Sequence, residues 1–267
     1  MPKNTEIQYE AERDFATRFV AEQYITNGYG SHFHRNLEIY GVVDGEVLVS
    51  IAGDKRVLTN GQIAVVNCME VHEYSVSKEA EIFYFHIGTA YLSTFISLNK
   101  HSLLPHWLLD TEYNKKLYEE ISKLFNIQDT LSELKKFGIA TILFADIVDR
   151  YGVISGGYNN KSHEFIEKVI QYIYEHYTED ITLKKLADVF CIESKFLSYN
   201  LSGYIGTDLR AFINDIRYGK ALQMMNSPEM RGKTKKEIMA LCGFKNERTF
   251  YYVNKRNSKF YNSDDKL

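Results

Sequence analysis

Between about residue 36 and residue 87 the apolar residues come in short runs broken by turn signals. Leu37–Val43 precedes Asp44-Gly45, and Val47–Ile51 precedes Gly53-Asp54. Val57-Leu58 precedes Asn60-Gly61, Ile63–Val66 precedes Asn67, and Ile82–Ile87 precedes Gly88. Asp-Gly and Asn-Gly between β-branched and aromatic runs mark hairpins, because the central turn residues must reach φ > 0. Strands at this regular spacing predict an antiparallel sandwich or small barrel.

After Leu98 the apolar period changes to that of a helix. Leu117, Ile121, Leu124 and Phe125 share one face, as do Leu134, Phe137, Ile142 and their neighbours through Ile147. Such helices either cap an open side of the barrel or form an antiparallel dimer seam, and the pattern leaves both open. Ser155-Gly156-Gly157-Tyr158-Asn159-Asn160 has little to bury and reads as a linker. Beyond it every apolar pattern is helical: Phe165 to Ile173, Leu183 to Phe190, Phe196 to Leu201, and Phe212 to Ala221, the last ending near Asn226-Ser227-Pro228. The fold class expected is α+β: an antiparallel barrel with helices, then an all-α domain. The boundaries expected are a barrel at 1–110, a helical dimerisation or capping segment at 111–154, a linker at 155–161 and a helical domain at 162–267.

Charge sharpens this division. The chain of 267 residues carries a net charge of −3. Residues 1–160 hold 14 basic and 21 acidic side chains, a balance of −7, and the rest hold 18 and 14, a balance of +4. An acidic front and a basic back imply different partners for the two halves. Cys68, Cys191 and Cys242 show no CxxC spacing, so neither a disulfide framework nor a zinc ribbon is supported. Met1 to Glu6 has no apolar core for a signal peptide, and Ile139–Val148 is interrupted by Asp146 and too short to span a bilayer. A cytoplasmic chain with no membrane partner is expected.

The back half repeats itself weakly. Thr182 to Ile192 aligns with Thr234 to Phe244, each copy a Thr N-cap, a short amphipathic helix and a tight turn. A second helix follows each, Ser194–Gly203 and Glu247–Lys255, which is the layout of a helix-turn-helix. One copy alone would read as a plain helical bundle. Two copies joined by a long helix in the basic half favour DNA binding.

These residues resemble the DNA-binding region of the AraC family of bacterial transcription regulators. The resemblance lies in Thr182–Ala187, Leu197-Ser198, Gly206, Phe212, Arg217, Lys220-Ala221, Glu237-Ile238, Gly243-Phe244, Phe250, Val253 and Lys255-Arg256. It departs at Cys191, where a glycine is usual, at Met239, where a small residue is usual, and at Asn254, where an aromatic is usual. The tail from Ser258 to Asp265 departs as well. The resemblance implies base-reading roles for Lys195, Ser198 and Tyr199 in the first motif, and for Glu247, Arg248, Tyr251 and Tyr252 in the second. Arg and Lys can donate to guanine and Glu can accept from cytosine. It implies phosphate contacts for Lys255 and Arg256, with Lys184, Lys185, Lys235 and Lys236.

The front half carries Gly28-x3-His32-x-His34-x3-Glu38-x6-Gly45, then Gly61-x5-Asn67-x4-His72, which resembles the two short motifs of cupin barrels. Cupin-type sensor domains are common in AraC-type regulators, so the two resemblances agree. Side chains at i and i+2 on a strand share a face, which puts His32 and His34 on one side. The resemblance implies that His32, His34, Glu38 and His72 contact a small polar effector. The same four would be the ligands if a metal were held. No metal and no other cofactor is expected, and Phe33, Tyr40, Tyr74, Phe83 and Phe85 are expected to pack the barrel.

The function this implies is a sequence-specific transcription regulator, not an enzyme, controlled by a small molecule that is sugar-like by family analogy. Its expected partners are double-stranded promoter DNA, the effector, RNA polymerase and a second copy of the chain. The alternative is a cupin metalloenzyme, a dioxygenase or sugar isomerase, with a helical appendage. It would use the His/Glu set and leave the repeated motif unexplained.

Overall fold

The computed structural model describes residues 8–10, 16–99, 102–155, 161–205 and 208–258. The expected linker residues Gly156 to Asn160, the matching Gly206 and the tail from Lys259 lie outside the described residues. Contacts divide the chain into two compact units, a front one of residues 1–8 and 14–159 and a back one of residues 9–13 and 160–267.

The first nine strands in chain order are Gln8–Tyr9 (β1), Phe19–Thr26 (β2), Tyr29–Phe33 (β3), Leu37–Asp44 (β4), Glu46–Ile51 (β5), Asp54–Thr59 (β6), Ile63–Val66 (β7), His72–Ser75 (β8) and Ala80–Ile87 (β9). Neighbours run β3-β8-β5-β6 in one sheet and β7-β4-β9-β2 in the other, every pair antiparallel. The hairpin signals act as their chemistry requires: Gly45 and Gly61 sit at φ 93° and 79°, in the left-handed region.

Burial shows why the strands differ in composition. β5 alternates between buried and solvent-facing residues, whereas β4 is buried from Leu37 through Val42 on both of its faces. Tyr40 and Val42 face the interior with Val47, Val49, Ile51, Tyr74 and Ile82. Leu37, Ile39, Phe83, Phe85 and Ile87 face outward and are covered by helices. Gly41 is required there, because a Cβ would lie 2.1 Å from the Phe83 ring.

The helices of the front unit are Ser93–Leu98 (α1), Thr111–Ser122 (α2) and Glu133–Tyr151 (α3). Leu117 and Ile121 of α2 and Ala140, Leu143, Phe144 and Ile147 of α3 pack on the outer face of the β4/β9 sheet. Each fully buried large side chain contributes roughly 1.5–3 kcal/mol. Of the two roles left open by the pattern, covering the barrel is the one these apolar faces perform. The outward face of α3 still shows Leu134 and Ile142 at 82% and 64% exposure. Among the described residues no helix is long and apolar enough to cross a membrane.

The back unit is helical: Lys161–His176 (α4), Leu183–Val189 (α5), Ser194–Ile205 (α6), Leu209–Asn226 (α7), Lys235–Leu241 (α8) and Glu247–Ser258 (α9). Thr182 caps α5 by accepting from the Lys185 amide at 3.1 Å. Thr234 and Glu237 form a reciprocal capping box on α8, with bonds of 3.2 and 2.7 Å. Such caps contribute about 1 kcal/mol each. Met239 is not misplaced by its size, since it is buried with Ile238, Cys242, Phe244, Phe250 and Val253 in the core of the second motif.

Candidate functional site

The barrel interior gathers the histidines by strand pairing. His32 of β3 pairs across the ladder with His72 of β8, and Glu38 of β4 pairs with His86 of β9. His34 follows β3 and reaches the same centre. All five side chains are buried. One ligand-type atom from each of His32, His34, Glu38 and His72 lies within 4.8 Å of the others. The four residues expected from the sequence therefore do converge.

Glu38 is the hub. Its Oε2 lies 3.1 Å from His34 Nε2, 3.2 Å from His72 Nε2 and 3.1 Å from His86 Nε2. Its Oε1 accepts from the Tyr74 hydroxyl at 3.0 Å. Burial alone would raise the Glu38 pKa, but the surrounding imidazoles, His86 foremost with His34 and His72, outweigh it, and the net direction is well below the ordinary carboxylate value. His86 is pushed down to about 4, chiefly by burial, with Glu38 opposing and Arg18 assisting.

Backbone carbonyls set the imidazole tautomers. His32 Nδ1 meets Gly30 O at 2.7 Å, His34 Nδ1 meets Asn36 O at 3.0 Å, and His72 Nδ1 meets Glu70 O at 2.8 Å. A carbonyl only accepts, so each Nδ1 carries a proton, and in the neutral ring each Nε2 presents a lone pair. Accordingly His72 Nε2, although close to Glu38, makes no hydrogen bond. A buried carboxylate faced by imidazole lone pairs fits a divalent transition cation, with His32, His34, Glu38 and His72 as its holders.

Two interior residues escaped the sequence reading. His86 has no motif spacing to the others and enters only through β4–β9 register. Tyr74, expected as packing, instead donates to Glu38 while its ring stacks on Tyr40 at 3.9 Å. Phe83 and Phe85 lie on the opposite face, beneath the helices.

The second candidate surface belongs to α6 and α9, the second helices of the two repeated motifs. Lys195, Ser198 and Tyr199 are exposed on α6, and Glu247, Arg248, Tyr251, Tyr252 and Lys255 are exposed on α9. The inward faces are Leu197, Leu201, Phe250 and Val253. Arg256 differs from its expected phosphate role: its guanidinium pairs with the buried Asp215 of α7. A buried carboxylate needs a cation more than a solvated phosphate does, so Arg256 is committed inward.

The fold is thus an antiparallel two-sheet barrel with a polar, imidazole-rich centre and a helical unit that holds two helix-turn-helix motifs. Residues 15–95 match the family described as the AraC-like ligand binding domain. The match lies within the front unit. The fold of the whole chain is similar to that of ToxT from Vibrio cholerae, with a TM-score of 0.52 at 15% identity over 89% of this chain and 93% of that one. ToxT bound to an unsaturated fatty acid is similar to the same degree, over 89% and 91%. The AraC-like transcriptional activator CuxR aligns over 84% of this chain and 82% of its own at 12% identity, with a TM-score of 0.43. Among curated protein sequences none matches the chain.

Proposed function

We propose that the chain is a DNA-binding transcription regulator whose front barrel takes a small polar effector and thereby biases how the back unit engages DNA. The observation that carries this reading is the AraC-like ligand-binding domain joined to two helix-turn-helix motifs with exposed, polar recognition faces. His32, His34, Glu38 and His72 are the effector-contacting residues in this reading, with Tyr74 and His86 beside them. Lys195, Ser198 and Tyr199 read one DNA half-site, and Glu247, Arg248, Tyr251 and Tyr252 the other. The effector acts by binding one arrangement more tightly than the other. The metalloenzyme alternative draws on the same barrel residues and leaves the twin motif without a use.

A homodimer acting in the cytoplasm, where DNA and RNA polymerase are met, completes the proposal. A groove of about 510 Å³ between α2 and α3 supports it, with Leu124, Ile139 and Ile142 inside and Lys116, Glu119 and Asp146 along it. Charges of both signs on an apolar groove suit a two-fold contact with a second copy.

Selection of duplexes from a random pool by the purified full chain tests the reading. An enriched motif that the chain retains in excess nonspecific DNA is expected. Retention governed by salt alone, with no enriched sequence, would remove the regulator assignment.

A further inference from the structure

His86 is wired differently from the other histidines of the barrel. Its Nδ1 faces not a carbonyl but the Arg18 Nε–H, at 3.0 Å. A guanidinium only donates, so His86 Nδ1 accepts and the ring proton sits on Nε2. That Nε2–H points at Glu38 Oε2 from 3.1 Å. His32, His34 and His72 have the opposite tautomer, fixed by Gly30, Asn36 and Glu70 carbonyls. Four imidazoles therefore divide into three that offer a lone pair and one that offers a proton.

We propose that Arg18 and His86 are a positioning pair for Glu38. Arg18 holds His86 as a hydrogen-bond donor, and His86 with Tyr74 holds both oxygens of the Glu38 carboxylate in place before the lone pairs of His32, His34 and His72. His86 is thus no ligand itself. It orients the carboxylate ligand toward a divalent cation shared by those four residues. In the neutral rings, the Nε2 atoms of His34 and His72 stand 3.1 and 3.2 Å from a Glu38 oxygen with their lone pairs toward it, an arrangement that a positive charge among them stabilises. The chain's third inward-facing imidazole, His32, completes the set.

The pair rests on the front site being a binding site and is independent of how DNA is read. Full-length protein stripped with a chelator is titrated with Co²⁺, followed by calorimetry and by the visible absorption of the bound ion. Wild type is expected to take about one Co²⁺ per chain, and His34→Ala or His72→Ala to take none. His86→Ala and Arg18→Ala are expected to weaken binding about 10–100-fold and to shift the absorption band. His86→Gln, whose amide can accept from Arg18 and donate to Glu38, is expected to recover the band and most of the affinity. Circular dichroism identifies any variant that fails to fold, in which case the Arg18 and Gln variants decide. Absence of Co²⁺ binding in wild type overturns the proposal. So does loss in His86→Gln as complete as in His34→Ala, which would make His86 a ligand, or full affinity in both His86→Ala and Arg18→Ala. Sequence-selective DNA binding on the metal-free preparation scores the regulator reading separately.

Discussion

Cys191 and Gly243 occupy the same turn position in the two helix-turn-helix motifs, both with positive φ, 53° and 85°. A side chain in the left-handed region costs roughly 1–2 kcal/mol. Cys191 is exposed and bears that strain without a clash, so Cys191→Gly is expected to raise unfolding free energy by about 0.5–1 kcal/mol in urea titrations. Gly243→Ala should do the reverse and more, because its Cβ would lie 2.8 Å from both Cα and O of Thr178. Another single-residue prediction concerns His106, whose Nε2 meets the Glu70 carboxylate at 2.9 Å. Burial works to lower its pKa, but the hydrogen bond and charge of Glu70, with the charge of Asp54, raise it above 6.5. A raised histidine contributes stability that is present below its unfolded pKa and is lost as pH rises through the folded value. The melting temperature of wild type should therefore fall more between pH 6.5 and alkaline pH than that of His106→Gln. In Glu70→Gln, proton NMR should place the His106 pKa lower than in wild type.

The helix α9 is held against α7. The Tyr218 hydroxyl donates to Asn254 Oδ1 at 2.7 Å, and Arg256 pairs with Asp215. Asn254 thus earns its place where the family usually has an aromatic: it exchanges a ring contact for a hydrogen bond to a phenol. Residues that read bases and residues that hold the helix should then separate in experiment. Lys195→Ala and Arg248→Ala are each expected to weaken specific DNA binding by about 1–3 kcal/mol with unchanged urea midpoints. Arg256→Ala leaves the Asp215 carboxylate without that guanidinium and is expected to cost about 1–3 kcal/mol of stability. Equal loss of DNA binding from all three, with no change in stability, would return Arg256 to the phosphate-contacting set.

For the molecule as a whole, two motifs on one chain joined by α7 are expected to enter successive major grooves. Grooves one turn apart lie about 10–10.5 bp from each other, so one chain should protect roughly 20 bp from cleavage. The second motif offers Arg248 beside Glu247 and the first only Lys195 with Ser198 and Tyr199, so the half-site read by α9 should tolerate base changes less well. Systematic base substitution measures this directly, and stricter discrimination by α6 would reverse the order. Ile142→Glu on the exposed face of α3 is expected to shift sedimentation from dimer to monomer while the melting temperature holds.

Local signals determined a large share of this protein. Turn glycines and alternating apolar runs marked β4 to β7 and β9, because hairpin turns and pleated faces are short-range constraints. Thr182 and Thr234 marked helix starts, since a cap acts over three residues. The motif spacing brought forward His32, His34, Glu38 and His72. Three things required the tertiary structure. The faces of α2 and α3 were apolar in the sequence, but only packing on β4 and β9 made them a cover for the barrel. Arg256 read as one more basic residue until the buried Asp215 of another helix claimed it. His86 and Arg18 are 68 residues apart, and no periodicity relates them. Strand register brings His86 beside Glu38, and register is a property of the assembled sheet, in which each strand's partners come from distant parts of the chain.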